Sequence, residues 1–246
     1  MQTVYSLIFW TYFLLSCAVL FFVALTIWCI TSPFDSRRTH LHAFSCWWGF
    51  HYLQLWPFWD IQVAGREHLP DGPALLVPNH QSLGDILLLY GLKSHFKWVS
   101  KSSVFRIPFI GWNMKLNRYV GLERGDRKSV VKMLQSCREH LRNGSAILMF
   151  PEGTRSRDGA LRAFKPGAFS LARSEQVPII PIVLDGTYEA LPKKGFTIKT
   201  LKGVTLKVHI LPPVRPEAFP STTQELSDTI RNQMAQTLET LRANTP

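Results

Sequence analysis

No charged side chain occurs between Met1 and Phe34, and Val4–Ile30 is apolar along almost its whole length. A run longer than the ~20 residues needed to cross a hydrocarbon core as a helix has few soluble uses. It predicts a membrane-associated helix, somewhat tilted if it spans. Tyr5, Trp10, Tyr12 and Trp28 lie towards its ends, where interfacial aromatics belong. A secretory leader would carry a basic stretch before a shorter apolar one. Here the basic pair Arg37-Arg38 comes after the run, which by the positive-inside rule puts the rest of the chain in the cytoplasm, at the inner membrane. Crossing the bilayer and turning back as a monotopic hairpin remain equally open.

A second apolar stretch, Leu41–Trp59, is broken by His42, His51 and Gln54 and holds Trp47, Trp48, Trp56 and Trp59. Tryptophans with few charges favour a helix in the headgroup region; the alternative is a buried helix of the main body. Residues 1–59 are therefore expected to be membrane-anchoring helices and residues 60–246 one further domain, ample for a sizeable core in a chain of 246 residues.

Charge divides the chain in the same way. The first sixty residues hold Asp35, Asp60, Arg37 and Arg38, which cancel, so the whole net charge of +11 lies beyond Asp60. A basic body behind a neutral apolar segment suits an anionic membrane surface, a phosphorylated substrate, or both. No lysine- and arginine-rich run, zinc spacing or RNA-binding aromatic motif points to nucleic acid. Cys17, Cys29, Cys46 and Cys137 form no CxxC pair and no metal-ligand pattern. No metal and no disulfide framework is expected, and the globular part should face a reducing compartment.

Beyond Asp60 short apolar runs alternate with amphipathic stretches. Strands are predicted at Ile61–Ala64, Ala74–Val77, Lys97–Ser100, Tyr119–Leu122, Ala146–Phe150, Ile179–Leu184 and Leu206–Leu211. Helices are predicted at Asp85–Leu92, Asp126–Asn143, Pro166–Ser174 and Thr223–Arg242. Val131, Leu134, Cys137 and Leu141 fall at helical spacing, and Asn143-Gly144 supplies a stop. That stop makes Asn143-Gly144-Ser145 a turn rather than a glycosylation acceptor. Thr222-x-x-Glu225 is a capping box. Pro212, Pro213, Pro216 and Pro220 mark an extended crossing to the last helix. The alternation predicts an α/β fold with a mostly parallel central sheet flanked by helices, behind the N-terminal membrane-associated helical segment.

Two polar blocks each follow a predicted strand. The first is Asn79-His80-Gln81-Ser82-Leu83-Gly84-Asp85. Ser82 and Asp85 match a capping box, which accounts for both but leaves His80 unexplained. An imidazole with a carboxylate five residues on supplies a general base and its orienter. The second block, Phe150-Pro151-Glu152-Gly153-Thr154-Arg155-Ser156-Arg157, joins turn formers to two guanidiniums and two hydroxyls. Those are the parts of a phosphate site. Lys101, Arg124 and Arg127 follow other strands and are candidates to converge there.

These residues carry a resemblance. Asn79–Asp85 is similar to the H-x4-D motif of the glycerolipid acyltransferase superfamily. Leu122-Glu123-Arg124-Gly125-Asp126-Arg127 is similar to its arginine-bearing block, with Glu123 where members often carry Asp. Phe150–Ser156 resembles its third block and Val177-Pro178-Ile179-Ile180-Pro181-Ile182 its fourth, all in order over about residues 60–215. The nearest likeness is to bacterial 1-acyl-glycerol-3-phosphate acyltransferases, which make phosphatidic acid. The resemblance implies a catalytic pair, His80 and Asp85. It implies a substrate phosphate bound by Arg124, Arg155 and Lys101, and a glycerol site shaped by Glu152, Gly153 and Thr154. It implies no cofactor, with acyl-coenzyme A or acyl carrier protein as donor. Phe105–Trp112, apolar with one charge, either lines the acyl entrance, dips into lipid, or is an ordinary buried loop.

Two other readings differ in class or substrate. Another lysolipid, such as lyso-ornithine lipid, could be the acceptor of the same chemistry. A basic membrane-surface adaptor would use the His80 block as a helix cap alone. Hydrolase and nucleotide-binding signatures (G-x-S-x-G, H-E-x-x-H, G-x-x-x-x-G-K-[ST], G-x-G-x-x-G) are missing from the sequence.

Overall fold

The computed structural model describes residues 2–55, 59–191, 204–219 and 222–243. All seven predicted strands form, with bounds close to those read from the sequence: β1 (Trp59–Ala64), β2 (Leu75–Pro78), β3 (Phe96–Lys101), β4 (Val120–Leu122), β5 (Ala146–Leu148), β6 (Ile179–Asp185) and β7 (Val204–Ile210). They make one sheet in the order β1-β7-β6-β2-β5-β3-β4. Every pairing is parallel except β6 with β7. The helices are α1 (Gln2–Thr31), α2 (Thr39–Gln54), α3 (Gly84–Tyr90), α4 (Ile110–Leu116), α5 (Arg127–Arg142), α6 (Gly167–Glu175), α7 (Thr187–Ala190) and α8 (Thr223–Ala243).

β2, β5 and β6 are buried at every residue, as the central strands of a sheet covered on both faces must be. Their side chains alternate between two cores. Leu75, Val77, Ile147, Ile179 and Val183 pack with Leu141, Phe169 and Ile230 of α5, α6 and α8. Leu76, Leu148, Ile180, Ile182 and Leu184 pack with Leu88, Leu89 and Met114 of α3 and α4. Each fully buried leucine or isoleucine contributes ~1.5–3 kcal/mol.

Local signals hold the helices. The Asp126 side chain accepts the Lys128 N–H at the start of α5. At its end Gly144 (φ 77°) donates to Leu141 O at 2.9 Å and Ser145 N–H to His140 O at 3.0 Å, a Schellman stop. The inward face of α5 is rotated from the predicted one: Met133, Cys137 and Leu141 are buried, and Val131 is 66% exposed. Both halves of the Thr222–Glu225 capping box form, each at 3.1 Å. Two short helices were not predicted, α4 and α7. α4 falls partly within Phe105–Trp112 and starts beside Phe109, whose φ is 62°. Pro220 lies outside the described residues.

Among the described residues α1 is the one helix long and apolar enough to cross a membrane. Val4, Leu7, Leu14, Leu15, Val19 and Phe22 are exposed along it, while Cys17, Phe21 and Ala24 are buried against α2 and α4 in a third core. α2 covers most of the Leu41–Trp59 stretch. Leu41, Trp48 and Tyr52 pack against α1, and Leu53 packs against the core on the α3 side of the sheet. Trp47 is the exposed tryptophan of α2; Trp56 lies outside the described residues. The fit of α2 to α3 is reciprocal. A Cβ on Gly49 would stand 2.2 Å from the Tyr90 ring, and one on Gly91 2.4 Å from the Phe50 ring. Each glycine receives the other helix's aromatic side chain.

Candidate active site

β2, β5, β3 and β4 are neighbours and run parallel, so the loops after them open on the same edge of the sheet. That edge is where open α/β sheets bind ligands. The His80 block follows β2, the Glu152 block follows β5, Lys101 ends β3, and Arg124 follows β4.

The first block is a polar turn fixed from several sides. Asn79 exchanges hydrogen bonds with the backbone of Leu184, donating at 2.9 Å and accepting at 2.7 Å. The His80 ring stacks on Phe150, with centroids 3.8 Å apart. His80 Nδ1 lies 2.7 Å from Asp85 Oδ2, and Asp85 is wholly buried. The same oxygen accepts the N–H groups of Gln81 at 2.6 Å and Ser82 at 2.9 Å. The other, Oδ1, accepts the Thr187 hydroxyl. Four donors lock the carboxylate, and its bond to Nδ1 leaves Nε2 as the ring nitrogen for outside work. Nε2 has no protein partner among the described residues, and His80 lies on a cavity wall.

The capping reading is half realised. Asp85 does reach back to the Ser82 N–H, but α3 begins at Gly84 and its N-cap Leu83 makes no side-chain cap. Ser82 Oγ accepts the Gly84 N–H instead. One carboxylate thus serves the helix start and the imidazole together.

Glu152 joins the two blocks. Its Oε1 accepts the His80 N–H at 2.8 Å and its Oε2 the Arg162 N–H at 3.3 Å, while the Ser156 N–H donates to His80 O at 2.7 Å. The carboxyl is 4% exposed and is pushed up to about 7 by burial, with the two N–H donors working against that rise. It stands behind the cavity wall rather than on it.

The cavity has a volume of about 1010 Å³. Lys101, Arg124, Gly153, Thr154 and Arg155 line it with His80, so five of the six residues expected to bind substrate border one cavity. Phe9, Phe13, Trp48 and Tyr52 from α1 and α2 line it elsewhere, with Val104, Ile107 and Ile110. The Phe105–Trp112 segment therefore contributes to the wall, while Trp112 itself is 43% exposed and rests on Phe21. Arg127 and Arg157 are exposed and off the wall.

Two residues with a place in the site escaped the sequence reading. Lys165 lines the cavity, and its Nζ is 3.0 Å from where a Cβ on Gly153 (φ 69°) would stand. Nothing links it by spacing to the Glu152 block. Thr187 had a weak signal, a hydroxyl just past the end of the strand that precedes Gly186.

The sequence profile of the family described as Acyltransferase matches residues 60–185. A 1-acyl-sn-glycerol-3-phosphate acyltransferase of Chlamydomonas reinhardtii is 46% identical over 160 residues, 64% of this chain and 48% of that protein. A chloroplastic one of Arabidopsis thaliana is 41% identical over 72% of this chain and 50% of its own length. One of Pseudomonas aeruginosa is 32% identical over 55% of this chain and 52% of its own. The chain spans about half the length of these curated relatives. The crystal structure of the 1-acyl-sn-glycerophosphate (LPA) acyltransferase PlsC from Thermotoga maritima superposes with a TM-score of 0.81 at 28% identity, covering 99% of both chains.

Proposed function

The chain belongs to the acyltransferase family, and from that premise we propose that it moves a fatty acyl group from a thioester to the free hydroxyl of 1-acyl-glycerol-3-phosphate, giving phosphatidic acid. The observation that carries the reading is the His80–Asp85 pair, with Nε2 turned to a cavity that is cationic at one end and aromatic along another wall.

His80 Nε2 takes the proton of the acceptor hydroxyl, oriented by Asp85 through Nδ1. The oxygen attacks the thioester carbonyl, the C–O bond forms, the C–S bond breaks, and the departing thiolate takes the proton back from the imidazolium. No acyl-enzyme is needed, since the base activates the acceptor itself. Arg124, Arg155 and Lys101 bind the phosphate as charge-assisted partners, with Gly153 and Thr154 beside the glycerol. Glu152 braces the His80 peptide. The acyl chains lie along the aromatic and aliphatic wall. Coenzyme A or acyl carrier protein carries the donor acyl group, and neither requires a further cofactor.

We place α1 in the inner membrane as anchor and residues 60–246 on its cytoplasmic side as the acyltransferase domain, because Arg37-Arg38 follows the apolar helix. The test is acyl transfer from acyl-coenzyme A to lysophosphatidic acid by the full chain in detergent, beside His80→Ala. The variant should lose about 10²–10⁴ in rate. A wild-type rate in the variant would sink the mechanism. Transfer confined to another lysolipid in a panel of acceptors would sink the substrate assignment alone.

A further inference from the structure

A second cavity, of about 650 Å³, borders the face of α5 neighbouring that of the candidate active site; Met133 lines both. Its floor is the sheet edge, because β4 pairs with β3 alone and leaves its outer side unpaired. Its walls bring cations from three parts of the chain. Arg37 comes from the connection between α1 and α2, Arg118 from the turn before β4, and Lys132 from α5, which also presents the His140 imidazole. Ser129, Lys132, Ser136, His140 and Asn143 follow one another at helical spacing, so α5 presents a polar stripe here beside its apolar one. The one carboxylate on the wall is Glu139, which accepts from the Gln135 amide at 3.4 Å.

The arrangement is built from below. Lys97 is 1% exposed, and its ammonium donates to Arg37 O at 2.6 Å and to Asn117 O at 2.8 Å. One buried cation thus fixes the backbone on both sides of the cavity, at Arg37 and at the residue before Arg118. Arg37 is tied again, through Nη1 to Gly144 O at 3.1 Å. Arg118 is held at φ 56°. Among the described residues the Arg118 guanidinium and the Lys132 ammonium have no hydrogen-bond or ion-pair partner.

Packing so much positive charge together has visible electrostatic consequences. Lys97 is lowered to about 7, by burial first; Asp35 opposes the shift, and Arg118, Arg38 and Arg37 add to it. His95 is lowered to about 4, by burial and then by Lys97 and Arg37. His140 is lowered by burial and then by Lys97. An anion in the cavity would relieve this mutual repulsion.

We propose that this second cavity is a phosphate-binding site, separate from the candidate active site, and that its ligand is the headgroup of an anionic phospholipid. The lipid source follows from position. Ser36 and Arg37 on its wall belong to the connection that leaves the apolar helix α1, and Arg38 beside them lies over Trp28 at 5.8 Å, as in an interfacial belt. The phosphates of a soluble thioester donor share the same chemistry, and the experiment separates the two sources.

The full chain is purified in neutral detergent, and bound ligand is counted by native mass spectrometry with phosphatidylglycerol, phosphatidylcholine or coenzyme A added. Each charge is worth about fivefold in binding, so the two unpartnered cations, Arg118 and Lys132, should make wild type prefer phosphatidylglycerol over phosphatidylcholine by about twenty-five-fold. Arg118→Gln with Lys132→Gln should bring that preference near parity, and so should Ser136→Glu alone, which puts a carboxylate into the stripe. Arg124→Gln, in the other cavity, should leave the preference in place. Retention of coenzyme A but not phosphatidylglycerol, lost in the double variant, would keep the phosphate site and move its ligand to the water phase. Unchanged binding of every probe in both second-cavity variants, or a preference abolished by Arg124→Gln alone, would overturn the proposal. None of these readouts depends on turnover, so the proposed reaction stands or falls separately.

Discussion

Glu152 Oε1 accepts the backbone N–H of His80 at 2.8 Å, so a carboxylate from one motif fixes the peptide that carries the imidazole of the other. The Ser156 N–H returns the link to His80 O at 2.7 Å. The two blocks are a single structural unit, although they are far apart in sequence. Glu152 acts here as a positioning residue, one peptide away from the ring.

That carboxyl gives a pH signature. Its folded value, about 7, lies above its ordinary 4.5 because of burial. Between those limits the folded chain keeps a proton that the unfolded chain has released, so stability falls as pH rises from about 4.5 to about 7 and levels off above. Glu152→Gln lacks this loss. Thermal unfolding of both across that window should show the variant gaining on wild type by up to roughly 3 kcal/mol. Parallel pH curves would mean that Glu152 is not buried in this way.

Thr187 donates to Asp85 Oδ1. Thr187→Val strands that buried oxygen, which costs ~1–3 kcal/mol. We expect kcat about tenfold lower with little change in KM for either substrate, and near-complete recovery in Thr187→Ser. An equal loss in Ser and Val would assign Thr187 to packing alone.

Arg124 and Lys165 border the cationic end of the cavity. Removal of either charge, as Arg124→Gln or Lys165→Met, should raise KM for the phosphate-bearing acceptor about tenfold or more and leave kcat nearly unchanged. Initial rates with the acceptor varied at saturating donor would show it. A fall in kcat at constant KM would place the side chain near the reacting atoms instead.

Gly153 sits at φ 69°, where a Cβ would stand 2.9 Å from Lys165 Cε. Gly153→Ala meets both backbone strain and a displaced lysine. The expected result is about 1 kcal/mol or more of lost stability together with a raised acceptor KM. An unchanged melting temperature and KM would show that the turn has room to spare.

What the sequence disclosed followed the range of the interactions involved. The central strands were legible because burial on both faces demands unbroken apolar runs, as at Ile179–Asp185. The His80–Asp85 contact was legible because it spans five residues. The packing of α2 was not legible, because tryptophans suit a headgroup layer and a core equally well and Tyr90 filling the space over Gly49 is a tertiary contact. α4 is short and joins Phe109 to Phe21 of α1, a contact that no local pattern announces. Val131 and Met133 both fit a helical stripe on α5, and the position of β4 selects Met133. Lys165 enters the site through tertiary structure alone.

The interlock of Gly49 with Tyr90 and Gly91 with Phe50 bears on how the protein can be taken apart. A fragment begun after residue 59 would lose more than an attachment, because Phe9, Trp10, Phe13, Trp48 and Tyr52 wall the same cavity as His80. Each methylene of a substrate chain left in water by such a cut forgoes ~0.8 kcal/mol. Attempts to obtain a freely soluble core by trimming the front of the chain should therefore yield a folded sheet with an open trough where the aromatic wall of the cavity had stood.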